Sequence, residues 1–211
     1  MTTAVFFDLD GTLVAFDDGF DAVLEDAFDR VVGAYEDAWG DVYGEAFSGA
    51  FEALDDEPYS AGMSAVVREF GLDADPEALT RALAAAEVEG VHATPGASVL
   101  LERVAARGPV GVLTNGVRSL QSRKLAATGL DDHVDALVTS YDAGAHKPAP
   151  DAFVAAEAAL HATDYVMVGD SADADVAGAK AVGWRAVHLG GDDTPTVSSL
   201  VGLADLADTF R

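Results

Sequence analysis

The chain has 211 residues, half of them hydrophobic, enough for one ordinary domain or for one core with a smaller insert. It has no cysteine, which excludes disulfides, thiolate metal sites and cysteine nucleophiles. Its 37 acids against 12 bases give a formal net charge of −25, so no basic patch is available for the phosphates of a nucleic acid.

No stretch approaches the roughly 18–20 consecutive apolar residues of a membrane span. The first residues, Met1 to Val5, carry no basic region ahead of an apolar run. The expectation is a soluble, cytoplasmic protein with no membrane and no nucleic-acid partner. The acids are spread along the chain, not gathered in a tail, which reads as adaptation to high salt. At molar salt the Debye length is about 3 Å, and self-repulsion is largely screened. Any metal must sit on oxygen or imidazole ligands. With 26 aspartates in the chain, a hard cation such as Mg²⁺ is expected.

In chain order, Thr3–Phe7 is a short apolar run ending on acids, the pattern of a buried parallel strand. Over Asp17–Ala38, Phe20, Val23, Leu24, Ala27, Phe28, Val31 and Tyr35 recur at spacings of three and four, predicting one helix. Further helices are predicted at Val42–Leu54, Ser60–Phe70 and Pro76–Val91, the last with Asp75 as N-cap and Pro76 at its first position. No strand pattern interrupts this segment. After Thr94-Pro95-Gly96, helices and strands alternate: helix Ala97–Arg107, strand Val110–Thr114, helix Arg118–Thr128, strand Ala136–Thr139 and helix Pro150–Leu160. Strand Tyr165–Val168, helix Ala172–Ala181 and strand Ala186–Leu189 follow. The alternation predicts an α/β fold, a three-layer Rossmann-like parallel sheet core, with an all-helical insert. The predicted domains are residues 1–14 and 95–211 for the core and 15–94 for the insert.

Ligands of such sheets sit at the carboxyl ends of the strands. Four predicted strand ends or following loops carry polar groups: Asp8-Leu9-Asp10-Gly11-Thr12, Thr114-Asn115-Gly116, His146-Lys147-Pro148, and Gly169-Asp170 with Ser171, Asp173 and Asp175. Alternation on an extended chain points Asp8 and Asp10 the same way. Converging on one crevice, these sites bring together carboxylates that call for a cation. They also supply a hydroxyl, a lysine and backbone amides suited to phosphate. Together they suggest phosphoryl transfer. Singly, each motif is also the kind of turn or helix start that carries no chemistry; the ordered set is what is specific.

With these motifs in view, the chain resembles the haloacid dehalogenase superfamily, in the phosphoglycolate phosphatase-like group with a helical cap inserted after the first strand. The likeness runs from about residue 3 to residue 190, and the composition resembles that of proteins from salt-accumulating halophiles. The resemblance implies a Mg²⁺-dependent phosphatase acting on a small phosphorylated metabolite. Asp8 is then the nucleophile that forms an aspartyl-phosphate, and Asp10 protonates the leaving group and later activates water. The implied metal site uses the Asp8 carboxylate, the Asp10 backbone carbonyl and Asp170, supported by Asp175, with Asp173 in reserve. Thr114 and the Asn115 amide are the implied phosphoryl binders, and Lys147 balances the negative charge of Asp8 and of the phosphoryl group.

The insert is expected to act as a lid. Phe16, Phe20, Trp39, Tyr43 and Phe47 are candidates to line its pocket, against the plainer expectation that they fill its own core. It contains no lysine, which argues against the Schiff-base chemistry of phosphonate-cleaving relatives. The presence of Asp10 argues against a 2-haloacid dehalogenase. A phosphomutase is the closest alternative, with Arg30, Arg68 and Arg81 as the only basic groups in the insert apart from histidine. A non-catalytic binding module is disfavoured because both Asp8 and Asp10 are kept. His92, His133, His161 and His188 are read as bland, and His146 as a loop residue beside Lys147.

Overall fold

The computed structural model describes residues 2–190 and the backbone of Thr196 and Val197. The predicted core runs to residue 211; Met1, 191–195 and 198–211 lie outside the described residues. Packing divides the chain into two units, Phe16–Val91 and the remainder. The sequence reading puts the insert at 15–94.

The larger unit is built on a parallel sheet. Its strands are β1 (Thr3–Phe7), β4 (Val110–Thr114), β5 (Ala136–Thr139), β6 (Asp164–Gly169), β7 (Arg185–Leu189) and β8 (Thr196–Val197), in the order β5-β4-β1-β6-β7-β8. β1 pairs in parallel with β4 on one side and β6 on the other, Phe7 lying level with Val112 and Val168. The chain builds outward from β1 through β4 to β5, then returns to β6 and continues to β7. Crossovers between parallel strands are right-handed, so reversing direction moves the connecting helices to the other face. Helices α5 (Ala97–Ala105) and α6 (Arg118–Thr128) belong to the outward run; α8 (Pro150–Ala159) and α9 (Gly178–Ala181) belong to the return. Along β1, Ala4 and Phe6 enter a buried cluster with Ala152, Phe153, Ala179 and Trp184, while Val5 and Phe7 are buried on the opposite face. A strand buried on both faces reads as continuous apolar sequence, which is why Thr3–Phe7 is legible.

The smaller unit is helical: α1 (Gly19–Val31), α2 (Asp37–Glu52), α3 (Pro58–Phe70) and α4 (Pro76–Gly90). α1 packs on α4, α2 on α3, and α3 on α4. Trp39 and Tyr43 are buried in its core, and Phe16 and Phe47 pack against that core. Phe20 is partly exposed. Asp75 caps α4 as expected, its carboxylate accepting from the Glu77 amide at 3.1 Å.

The predicted helix Asp17–Ala38 is corrected. α1 stops at Val31, where Gly33 adopts a φ of 78° that a side chain rarely tolerates, and α2 begins six residues beyond Val31. The apolar spacing runs on to Tyr35 because its ring packs on Phe28 and Trp39 from the link between the helices. Two three-residue strands, β2 (Val14–Phe16) and β3 (Val91–Ala93), pair with one another and are too short to show a period. Residues Ala172–Ala177, read as ordinary helix, form a π-helical turn ahead of α9. The four-residue helix α7 (Ser140–Ala143) begins with a capping box between Thr139 and Asp142.

Candidate active site

The site lies at the carboxyl edge of the sheet, where the strand order reverses about β1. Asp8 follows β1 directly, and its amide donates to the Val168 carbonyl at 2.9 Å, as though the pairing ran one residue further. β4 ends at Thr114, buried at the rim. β6 ends at Gly169, delivering Asp170. This is the crevice that the doubly wound topology leaves open.

Lys147 ties three elements together. Its Nζ donates to Asp8 Oδ1 at 2.8 Å, to Asp175 Oδ1 at 2.6 Å and to the Leu113 carbonyl at 2.7 Å, which uses all three ammonium protons. Its backbone is clamped by the Asn115 side chain, which accepts from the Lys147 amide at 2.8 Å and donates to its carbonyl at 3.0 Å. Asp175 also accepts from the Ser171 amide at 3.0 Å, and the Ser171 hydroxyl accepts from the Ala174 amide, fixing the turn that carries both acids. Asp170 accepts from the Thr12 hydroxyl at 3.2 Å, and its carbonyl lies 2.9 Å from His188 Nε2.

Asp8, Lys147 and Asp175 are all buried, so one ammonium faces two carboxylates. Burial pushes the Asp8 carboxyl up from 3.8 to about 7; Lys147 opposes this, and Asp175 and Asp10 add to it. Burial alone lowers the Lys147 ammonium, but Asp8 and Asp175 together hold it above its ordinary 10.5. The lysine gains from two partners, while each acid receives only part of one compensating charge.

Oxygens of Asp8, Asp170 and Asp175 lie within 4.8 Å of one another. An all-carboxylate donor set around an excess of buried negative charge suits a hard divalent cation. The predicted residues Asp8, Asp170 and Asp175 are therefore brought together, with Thr114 and Lys147 at the same edge. Asp173 is exposed and stands outside this set of acids. The Asp10 carboxylate meets Gln121 at 2.7 Å and Lys124 at 3.0 Å, a different partner set from that of Asp8. The His146 ring packs edge-on against Tyr141, at 6.2 Å between centroids.

Sequence reasoning missed Gln121, Lys124, Ser140 and His188. Ser140 accepts from the Gly116 amide and so fixes the loop after Thr114. Gln121 and Lys124 left one signal: two polar residues at a spacing of three on a helix that begins just after a strand-end motif.

Gly11 has a φ of 80°, and a Cβ there would stand 2.5 Å from Asp170 Oδ2. Gly11→Ala is therefore expected to cost about 1–3 kcal/mol of stability and to weaken divalent-cation binding by displacing Asp170. Thermal melts with and without Mg²⁺ check both effects; an unchanged Mg²⁺-induced shift would contradict the second.

A family model described as haloacid dehalogenase-like hydrolase matches residues 2–183. The chain belongs to the haloacid dehalogenase-like hydrolases. Among relatives in this family, a ribulose-1,5-bisphosphate 5-phosphatase from Halopiger xanaduensis is 32% identical over 237 residues, spanning 100% of this chain and 93% of that one. Phosphatase MT3486 from Mycobacterium tuberculosis is 34% identical over 194 residues, spanning 87% of this chain and 85% of that one. The structure of the HAD-hydrolase YfnB from Bacillus subtilis, bound to magnesium, superposes with a TM-score of 0.77 at 23% identity, covering 98% of this chain and 99% of that one. That likeness shows the haloacid dehalogenase-like fold. Among the described residues no helix is long and apolar enough to cross a membrane.

Proposed function

We propose that this hydrolase is a Mg²⁺-dependent phosphatase acting on a small phosphorylated metabolite through an aspartyl-phosphate on Asp8. The observation that carries the reading is the buried triad in which one ammonium, that of Lys147, bonds both Asp8 and Asp175, with Asp170 beside them. Such a site has a fixed carboxylate at its floor and room in its charge balance for a dication. Asp8 and Asp170 would hold Mg²⁺ with the Asp10 backbone carbonyl, supported by Asp175. When bound, the ion neutralises phosphoryl charge and orients the ester.

In this reading Asp8 Oδ attacks phosphorus as the ester P–O bond breaks, and Asp10 gives a proton to the departing oxygen. Water then attacks the aspartyl-phosphate, Asp10 takes its proton, and the bond from Asp8 to phosphorus breaks to release phosphate. Thr114 and the Asn115 amide would hold the phosphoryl oxygens, and Lys147 would keep the attacking carboxylate directed and its charge balanced. The phosphatase relatives support ester hydrolysis, and the Halopiger relative puts sugar bisphosphates first in a substrate screen. The same relative's source supports the reading of the −25 charge as salt adaptation. The test is hydrolysis of phosphate esters in molar KCl with Mg²⁺ or with chelator. Turnover that needs Mg²⁺ supports the proposal; no turnover by the folded protein sinks it.

The charge balance also sets a pH dependence. The folded protein keeps a proton on Asp8 between 3.8 and about 7, where the unfolded chain loses it. In metal-free protein this group's effect on stability therefore becomes steadily less favourable across that window as pH rises. Mg²⁺ needs the carboxylate, so its affinity should rise by up to about tenfold per pH unit below 7 and level off above. Calorimetric titration at pH 5.5, 6.5 and 8 checks this, and affinity independent of pH would contradict it.

A further inference from the structure

Asp10 is held from a single helix face. Gln121 and Lys124 lie three residues apart on α6, and both are buried, at 2% and 4% exposure. Gln121 Nε2 donates to Asp10 Oδ2 at 2.7 Å and to Thr114 Oγ1 at 2.9 Å. Lys124 Nζ donates to Asp10 Oδ1 at 3.0 Å. Both Asp10 oxygens are thus engaged from below, and the side chain is fixed in one direction.

Solvation alone does not require this arrangement. The Asp10 side chain is 39% exposed and reaches water. Burying an amide and an ammonium to meet an acid that water already serves costs desolvation. Of the chain's three lysines, two are buried at this one sheet edge, Lys124 and Lys147. The bond to Thr114 has a second consequence. A hydroxyl has one proton and two acceptor positions. Accepting from Gln121 leaves the Thr114 proton to be donated elsewhere, and a phosphoryl oxygen is an acceptor only.

We propose, resting on the phosphatase reading, that Gln121 and Lys124 are positioning residues. Together they aim the Asp10 carboxyl at the bridging oxygen of the ester, and Gln121 also sets Thr114 as a hydrogen-bond donor to the phosphoryl group. The proton passes from Asp10 to the leaving oxygen as the ester P–O bond breaks and the bond between Asp8 and phosphorus forms. Lys124 and Gln121 neither gain nor lose a proton.

Leaving-group dependence separates this role from a merely structural one. An alkyl phosphate needs its leaving group protonated; a dinitrophenyl phosphate does not. Lys124→Met is expected to lower kcat/KM about 100-fold for the alkyl ester and by less than about threefold for the dinitrophenyl ester, with Lys124→Arg recovering most of the loss. Gln121→Leu should lower both, the alkyl ester more, because Thr114 is also released. The Mg²⁺-induced thermal shift should persist in all three variants, since none removes a metal acid. Equal losses on the two esters, or no loss, in an active, folded Lys124→Met protein overturn the inference alone. If that variant does not fold, Gln121→Leu decides by the same comparison. A wild-type protein that turns over neither ester overturns the phosphatase reading as well.

Discussion

Asp8→Asn is expected to lower kcat by at least about 10⁴-fold and to leave the protein folded. The amide has nearly the carboxylate's shape but no nucleophilic oxygen anion, so the step that makes the aspartyl-phosphate is lost. Little in the fold depends on the lost charge. Lys147 keeps its bonds to Asp175 and to the Leu113 carbonyl. The substitution also removes the carboxyl that burial pushes up to about 7. At pH 8 without metal the variant should therefore melt at or above the wild-type temperature. Its Mg²⁺-induced stabilisation should shrink, because one of three clustered carboxylates is gone. Activity assays beside melting curves check the pair of effects. Retained turnover would remove Asp8 from the nucleophile's role.

Lys147→Met has the opposite signature, with both activity and stability falling. The side chains of Lys147, Asp8 and Asp175 are 2%, 12% and 1% exposed, so removing the ammonium leaves two carboxylates out of water with no cation between them. Breaking a buried ion pair from one side costs about 3–5 kcal/mol, and here two acids lose the same partner. Mg²⁺ should restore part of the loss, since it supplies positive charge to the same cluster. Chemical denaturation with and without Mg²⁺ measures both terms. A stability loss under about 1 kcal/mol without metal would contradict the charge balance on which the site is read. The contrast between the two variants is informative because they cut the same hydrogen bond from opposite ends: one relieves the excess negative charge and the other exposes it.

The strands carrying the site were the most legible part of the fold. Thr3–Phe7, Val110–Thr114 and Ala136–Thr139 match their predicted bounds because each is a β-branched or apolar run ended by a polar group. The link between α1 and α2 was not legible, since Tyr35 continues the apolar spacing while packing from outside a helix. Spacing reports burial, and burial does not require helical backbone. In the site, Asp8 and Asp170 sit just past strand ends, and Asp175 and Lys147 lie in the segments that follow β6 and β5, so their order along the chain was legible. Gln121 and Lys124 were not, since they project from the middle of α6 toward Asp10, a residue more than 100 positions away. The Asn115 side chain was likewise assigned no contact, yet it holds the Lys147 backbone across 32 residues. Partners at these separations follow from the parallel pairing of β1 with β4 and of β4 with β5, which local pattern does not state.

The central claim is a covalent bond between Asp8 and the phosphoryl group. It is tested most directly by mixing the enzyme with a phosphate ester and Mg²⁺, quenching in acid, reducing with borohydride and sequencing the peptides by mass spectrometry. An acyl phosphate is reduced under these conditions and an unmodified carboxylate is not. The account predicts homoserine at position 8, present only with substrate and absent from Asp8→Asn. Turnover with an unmodified Asp8, or reduction at another acid, would contradict it.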